Sequence, residues 1–177
     1  MDKQSELIRL TTRLVNIPSV VGTYQENDVA GFIFKWLKQV PYYQQHPDHL
    51  IKVKIKDDPF QRYNIMALIK KETIKETIFG IGHFDTVAID DYGFLKDIAN
   101  DPDKLKVKMQ QHASTTICND AENDDIVFGR GSLDMKSGIA IWMQLIKDIS
   151  ENLDHVKTNL LVGFVCDEEG TSTGMRH

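Results

Sequence analysis

The sequence predicts an α/β fold: a mixed, largely parallel sheet sandwiched by helices. Three observations predict it. The chain opens with two amphipathic helical stripes. Strand-like and helix-like runs then alternate. Near the end, Leu160 to Cys166 is a continuous apolar run, the pattern of a strand covered on both faces.

The elements follow in order. Leu7, Leu10 and Leu14, with Ile8 and Val15 beside them, recur at helical spacing, and Pro18 ends that helix. Thr23 followed by Glu26 has the form of a capping box for a second helix. Val29, Phe32, Ile33, Trp36, Leu37 and Val40 line one of its faces, and Pro41 stops it. Lys52-Val53-Lys54-Ile55-Lys56 alternates as a half-exposed strand does. Asn64 to Lys70 and Thr77 to Gly82 read as two further strands, the second more apolar and therefore more central. In the polar, acidic stretch that follows, Asp101-Pro102 marks the start of a short helix running to Gln111. Ile126-Val127-Phe128 reads as a short strand. A helix at about 136–152, apolar nearly all round, is expected to be buried.

Composition narrows the function classes. The chain has 177 residues, 41% of them hydrophobic, enough for one ordinary core and against disorder. Net charge is -5 with signs interspersed, so no basic stripe offers itself to a nucleic acid. The apolar runs are too short to span a bilayer, and the first residues lack the apolar core of a signal peptide. Cys118 and Cys166 read as two reduced thiols. A cytoplasmic protein with neither nucleic-acid nor membrane partners is expected.

Three segments carry chemistry, each placed just after an expected strand. They are Gly82-His83-Phe84-Asp85-Thr86-Val87, Gly129-Arg130-Gly131-Ser132-Leu133-Asp134-Met135-Lys136-Ser137-Gly138, and Asp167-Glu168-Glu169-Gly170. Sites in open α/β sheets form beyond the carboxyl ends of strands, so these three can converge. Zinc accepts imidazole nitrogen and carboxylate oxygen. His83 offers the nitrogen. Asp85, two residues on, points the same way in extended chain and can accept the other ring N–H. Asp134 stands at the start of a helix, and its two oxygens can bridge two ions. Glu168 and Glu169 point in different directions, so one can ligate while the other stays free as a base.

Taken singly, each feature has an ordinary reading. A histidine at a strand end is more often hydrogen-bonded than ligating, an aspartate before a helix is usually an N-cap, and a Glu-Glu pair is usually a solvated turn. Their joint occurrence at strand ends is what argues for a site. His46, His49, His112 and His155 stand in polar contexts without partners at ligand spacing, and terminal His177 is given no role. No phosphate loop and no Gly-x-Ser-x-Gly elbow is found, against nucleotide binding and serine hydrolysis.

Together the three segments resemble the leading signatures of the M20 metallopeptidases and amidohydrolases. Leu14-Val15-Asn16-Ile17-Pro18-Ser19-Val20 and Arg62-Tyr63-Asn64-Ile65-Met66-Ala67 also look like that family. The segment from Ile89 to Asp125, with Asp91-Tyr92-Gly93-Phe94-Leu95-Lys96, is more similar to its arginine-utilisation (RocB-like) branch. The resemblance implies a zinc-peptidase-like catalytic domain holding two Zn2+ ions, with Mn2+ or Co2+ as alternatives. In it His83 binds one ion, Asp134 bridges both, Glu169 binds the other, Glu168 is the general base and Asp85 orients His83. It also implies a cis peptide at Asp134–Met135. Family members are about twice this length or more, which implies that residues 1–177 form the N-terminal part of a catalytic domain. The further ligands and a dimerisation domain lie downstream, and the full-length parent is a homodimer.

Two function hypotheses follow. The first is metal-dependent hydrolysis of an amide or peptide bond in a small N-acyl amino acid or short peptide by the full-length parent. The second is an inactive fragment or pseudoenzyme acting as a structural module with a partial metal site.

Overall fold

A computed structural model describes residues 3–112 and 114–176; His177 lies outside the described residues. Helix α1 (Lys3–Val15) buries Leu10, Thr11, Leu14 and Val15. It closes before Pro18, which cannot continue a helical hydrogen-bond ladder. Helix α2 (Glu26–Leu37) buries Val29, Ala30, Ile33 and Leu37. Its start departs from the capping box. Thr23 donates to the Val20 carbonyl, and the Glu26 carboxylate accepts the Gly22 N–H at 2.8 Å, so the loop is closed one turn before the helix begins. Pro41 does not merely stop α2. It opens a short helix, α3 (Pro41–Gln45), where a missing N–H costs nothing.

Strands β1 (Leu50–Lys54), β2 (Tyr63–Ile69), β3 (Thr77–His83) and β4 (Asn159–Val165) form one sheet in the order β1-β2-β4-β3. The mixed sheet is as the sequence predicts. Its parallel share is smaller than expected: β1–β2 and β2–β4 are antiparallel, and only β3–β4 is parallel. A parallel pair needs a long crossover, and here helix α6 (Ser137–Ser150) supplies it.

The expected central place of β3 is corrected. The later β4 inserts beside β2, so β3 becomes an edge, and β4 holds the interior position with buried residues on both faces. The sandwich is one-sided as well. Helices α1, α2 and α6 pack over the face carrying Ile65, Ala67, Leu160, Val162 and Phe164. On the opposite face Ile51, Phe79 and Ile81 are 47%, 57% and 37% exposed. Apolarity alone therefore did not report burial for β3.

Helix α6 buries Ile139, Ala140, Met143 and Ile146 but leaves Ile141 55% exposed, so it is amphipathic rather than buried all round. Its Trp142 ring lies over Gly80, where an added Cβ would come within 2.5 Å of it. Between β3 and α6 stand α4 (Pro102–His112) and α5 (Thr115–Glu122), which pack on each other. Asp101 caps α4 by accepting the Lys104 N–H, as the sequence suggests. Helix α5 was not foreseen, since only Ile117 and Ala121 mark an apolar face. Residues 126–128 form no strand; they have no regular structure and lead into the Gly129 turn. Among the described residues no helix is long and apolar enough to cross a membrane.

Candidate metal centre

The site forms where β3 and β4 end side by side, with His83 paired in register to Val165. Two of the three sequence segments thus follow strands, and the third reaches the site by a loop. After His83 the chain stays extended. Phe84 turns into the core while His83 and Asp85 share the other side, both buried. The stretch is held from below by the Pro18 loop: Thr86 donates to the Ser19 carbonyl, Val21 to the Thr86 carbonyl, and the Ser19 hydroxyl to the Phe84 carbonyl.

Asp134 sits in a tight turn that needs two glycines at positive φ. Gly131 has φ 77°, and a Cβ there would lie 2.4 Å from the Thr86 methyl group. The Asp134–Met135 peptide is cis, as the resemblance implies. Lys136, fully buried, closes the turn, its backbone N–H on the Gly131 carbonyl and its ammonium on the Ile17 carbonyl at 2.7 Å. Burial pushes that amine down to about 7. Arg130 pairs with Asp91 and lies over the Tyr92 ring, tying residues 90–98 to the site.

His83, Asp134 and Glu169 each offer one ligand atom, and these atoms lie within 4.8 Å of one another. His83 Nε2 is 2.9 Å from Asp134 Oδ1 and 3.8 Å from Glu168 Oε2. The other ring nitrogen, Nδ1, donates to the Asp85 backbone carbonyl at 3.1 Å, while Asp85 Oδ1 stands 3.6 Å away. The orienting bond expected from the Asp85 side chain is therefore made by its main chain, because the carboxylate is drawn to Glu169: Asp85 Oδ2 accepts the Glu169 N–H at 2.9 Å.

Electrostatics follow from this crowding. Burial alone would lower the His83 pKa, but Asp85, Asp134 and Glu168 together raise it to about 9. Burial and the nearby Asp134 carboxylate push Glu169 up. The site attracts positive charge: Nδ1–H is committed to the Asp85 carbonyl, Nε2–H donates to Asp134 Oδ1 at 2.9 Å, and a metal ion would take the place of that second proton. One buried oxygen, Asp85 Oδ1, has no hydrogen-bond partner. An imidazole nitrogen and two carboxylates at this spacing, with such an orphaned acceptor behind them, fit a divalent metal ion. Above the three lies a cleft of about 340 Å³ lined by Val87, Arg130, Leu133, Asp134 and Glu169.

A buried ion network was not foreseen. Arg62 holds Asp58, Glu26 and Asp167 at 2.6, 2.9 and 2.8 Å. Its members are 4, 36 and 105 residues from Arg62 in sequence, a separation that leaves no local signal to read for Glu26 and Asp167.

Known proteins resemble this chain in sequence and in fold. The protein RocB of Bacillus subtilis (strain 168) is 37% identical over 177 residues, covering 99% of this chain and 31% of its own. YqjN of the same organism is 35% identical over 175 residues, with 97% and 31% covered. The chain thus spans about a third of the length of these relatives. Human carnosine dipeptidase 1 superposes with a TM-score of 0.68 at 15% identity, covering 97% of this chain and 34% of its own. The M20 family metallo-carboxypeptidase Sso-CP2 of Sulfolobus solfataricus gives 0.61 at 15% identity, with 96% and 32% covered. At that identity these structures show the shared fold. The profile of peptidase family M20/M25/M40 matches residues 81–177, which contain all three site segments, and the chain belongs to that family.

Proposed function

We propose that this chain forms the metal-holding part of a hydrolase that cleaves an amide or peptide bond in a small N-acyl amino acid or short peptide. The observation that carries the reading is the meeting of His83, Asp134 and Glu169 within 4.8 Å, with Glu168 beside them and outside that trio. Zinc is the ion we favour, with Mn2+ or Co2+ as alternatives. The match to peptidase family M20/M25/M40 supports a peptide-like substrate, and the resemblance of residues 89–125 to the arginine-utilisation branch is the ground for proposing a place in arginine utilisation.

His83, Asp134 and Glu169 hold the ion, which when bound supplies Lewis-acid polarisation of the carbonyl and acidifies water. The remaining work falls to the chain. Glu168, half exposed and 3.8 Å from His83 Nε2, takes a proton from the attacking water and returns it to the leaving amine. Asp85 keeps the Glu169 backbone and the His83 ring in place. Arg130 and Leu133 wall the cleft where a substrate side chain would lie.

A second reading is a partial site that binds a cation without turnover. It is favoured by the exposure of the Asp134 side chain, 75%, which leaves that ligand open to water. Zinc titration by calorimetry on the wild type, His83→Ala, Asp134→Ala and Glu168→Gln separates the outcomes. Binding lost in the first two variants and kept in Glu168→Gln supports the metal site. Hydrolysis of N-acyl amino acids or dipeptides by the zinc-loaded wild type, lost in Glu168→Gln, supports the hydrolase. Binding without turnover supports the second reading, and absence of binding overturns both.

A further inference from the structure

The residue that precedes the two site glutamates, Asp167, is fixed from every side. Its φ is 61°, a left-handed conformation that an aspartate keeps only when its surroundings enforce it. Glu26 Oε2 accepts its backbone N–H at 2.9 Å. Its Oδ1 accepts Arg62 Nη1 at 2.8 Å, and the same Nη1 donates to Glu26 Oε1 at 2.9 Å. Its Oδ2 accepts the Thr171 hydroxyl at 2.8 Å and the Thr173 N–H at 3.0 Å, and its carbonyl accepts the Ser172 N–H at 2.7 Å. The loop 167–173 is thus wound around one carboxylate, and Asp167 is held at its backbone by Glu26 of α2 and at its side chain by Arg62, the residue just before β2. Glu26 and Arg62 are themselves buried and touch neither His83 nor the cleft.

We infer that Glu26 and Arg62 are positioning residues for the metal centre: by clamping Asp167 at both its backbone and its side chain, they set where Glu168 and Glu169 project. The inference rests on the metal-site reading above. A planar guanidinium is suited to the task because one Nη1 spans Glu26 and Asp167 while Nε and Nη2 hold Asp58, a division that an ammonium cannot reproduce. Glu26 is suited because both of its oxygens accept from donors, Gly22 N–H and Arg62 on one and Asp167 N–H on the other. Replacing either oxygen by an amide NH2 sets donor against donor. Asn159, buried at the end of β4 away from the site and bonded to the Lys71 N–H and the Ile74 carbonyl, provides an internal control.

The test is Co2+ titration of the full chain, read by calorimetry and by the visible absorption of the bound ion, with thermal unfolding of the metal-free protein alongside. Glu26→Gln and Arg62→Lys are expected to weaken Co2+ binding about 10- to 100-fold and to change the absorption band, as loss of outer support does at metal sites. Asn159→Ala is expected to lower the unfolding temperature while leaving affinity and spectrum as in the wild type, which separates positioning from general destabilisation. Should Glu26→Gln or Arg62→Lys fail to fold, Thr171→Val, on the exposed side of the same carboxylate, carries the test, with an expected loss of about three- to tenfold for one hydrogen bond. Wild-type affinity and spectrum in the folded variants overturn the clamp. Absence of Co2+ binding by the wild type overturns the metal reading, and the clamp with it; loss in Asp134→Ala with wild-type binding intact shows that the metal reading stands on its own.

Discussion

Asp85 accepts the backbone N–H of Glu169 at 2.9 Å through Oδ2, while its own backbone carbonyl accepts His83 Nδ1 at 3.1 Å. One residue therefore holds two site residues that come from different strands, one by its side chain and one by its main chain. With Nδ1–H committed to the carbonyl, Nε2 is the ring nitrogen that an ion would take, in exchange for the proton it shares with Asp134 Oδ1.

Removing that carboxylate should loosen Glu169 without touching the imidazole bond to the carbonyl. Asp85→Ala is expected to reduce zinc affinity about 10- to 100-fold in calorimetry, with circular dichroism unchanged. Wild-type affinity in a folded Asp85→Ala protein would show that Glu169 needs no such support.

Acid sensitivity should trace in part to Asp58. Burial pushes its carboxyl up, but the Arg62 guanidinium and backbone N–H groups hold it, on balance, below its ordinary 3.8. A pKa lower in the folded than in the unfolded chain means stability that is present above the unfolded value and lost as pH falls through the folded one. The wild type should lose stability on acidification from pH 5 to below 4, measured by urea midpoints. Asp58→Asn should be less stable by about 1–3 kcal/mol at pH 7, and its stability should fall less over the same range. Parallel pH profiles for the two proteins would remove Asp58 from this account.

The open sheet face should make this polypeptide associate with itself. Ile51, Phe79 and Ile81 present apolar surface on one face of a sheet whose edge strand, β3, also has unpaired backbone groups. Sedimentation is expected to show mass rising with concentration, and Phe79→Lys should reduce it. A wild-type monomer throughout the concentration series would count against this reading of the face.

Much of the architecture was legible in the sequence by itself. The leucine stripe of α1, the valine and isoleucine stripe of α2, the Asp101 cap of α4 and the apolar run of β4 are local patterns, and each produced the expected element. The three chemical segments were legible for the same reason, since their residue types and spacings lie within a few positions of one another. Tertiary structure decided what local pattern does not encode. Strand β3 reads as more apolar than β2 yet lies at the edge, because β4 arrives from the far end of the chain to take the inner place. The one-sided helix layer, the main-chain bond from Asp85 to His83, and the grip of Arg62 on a residue 105 positions away all depend on which distant segments meet. Periodicity reports the face that a residue shows to its own element; what covers that face is fixed only when the whole chain packs.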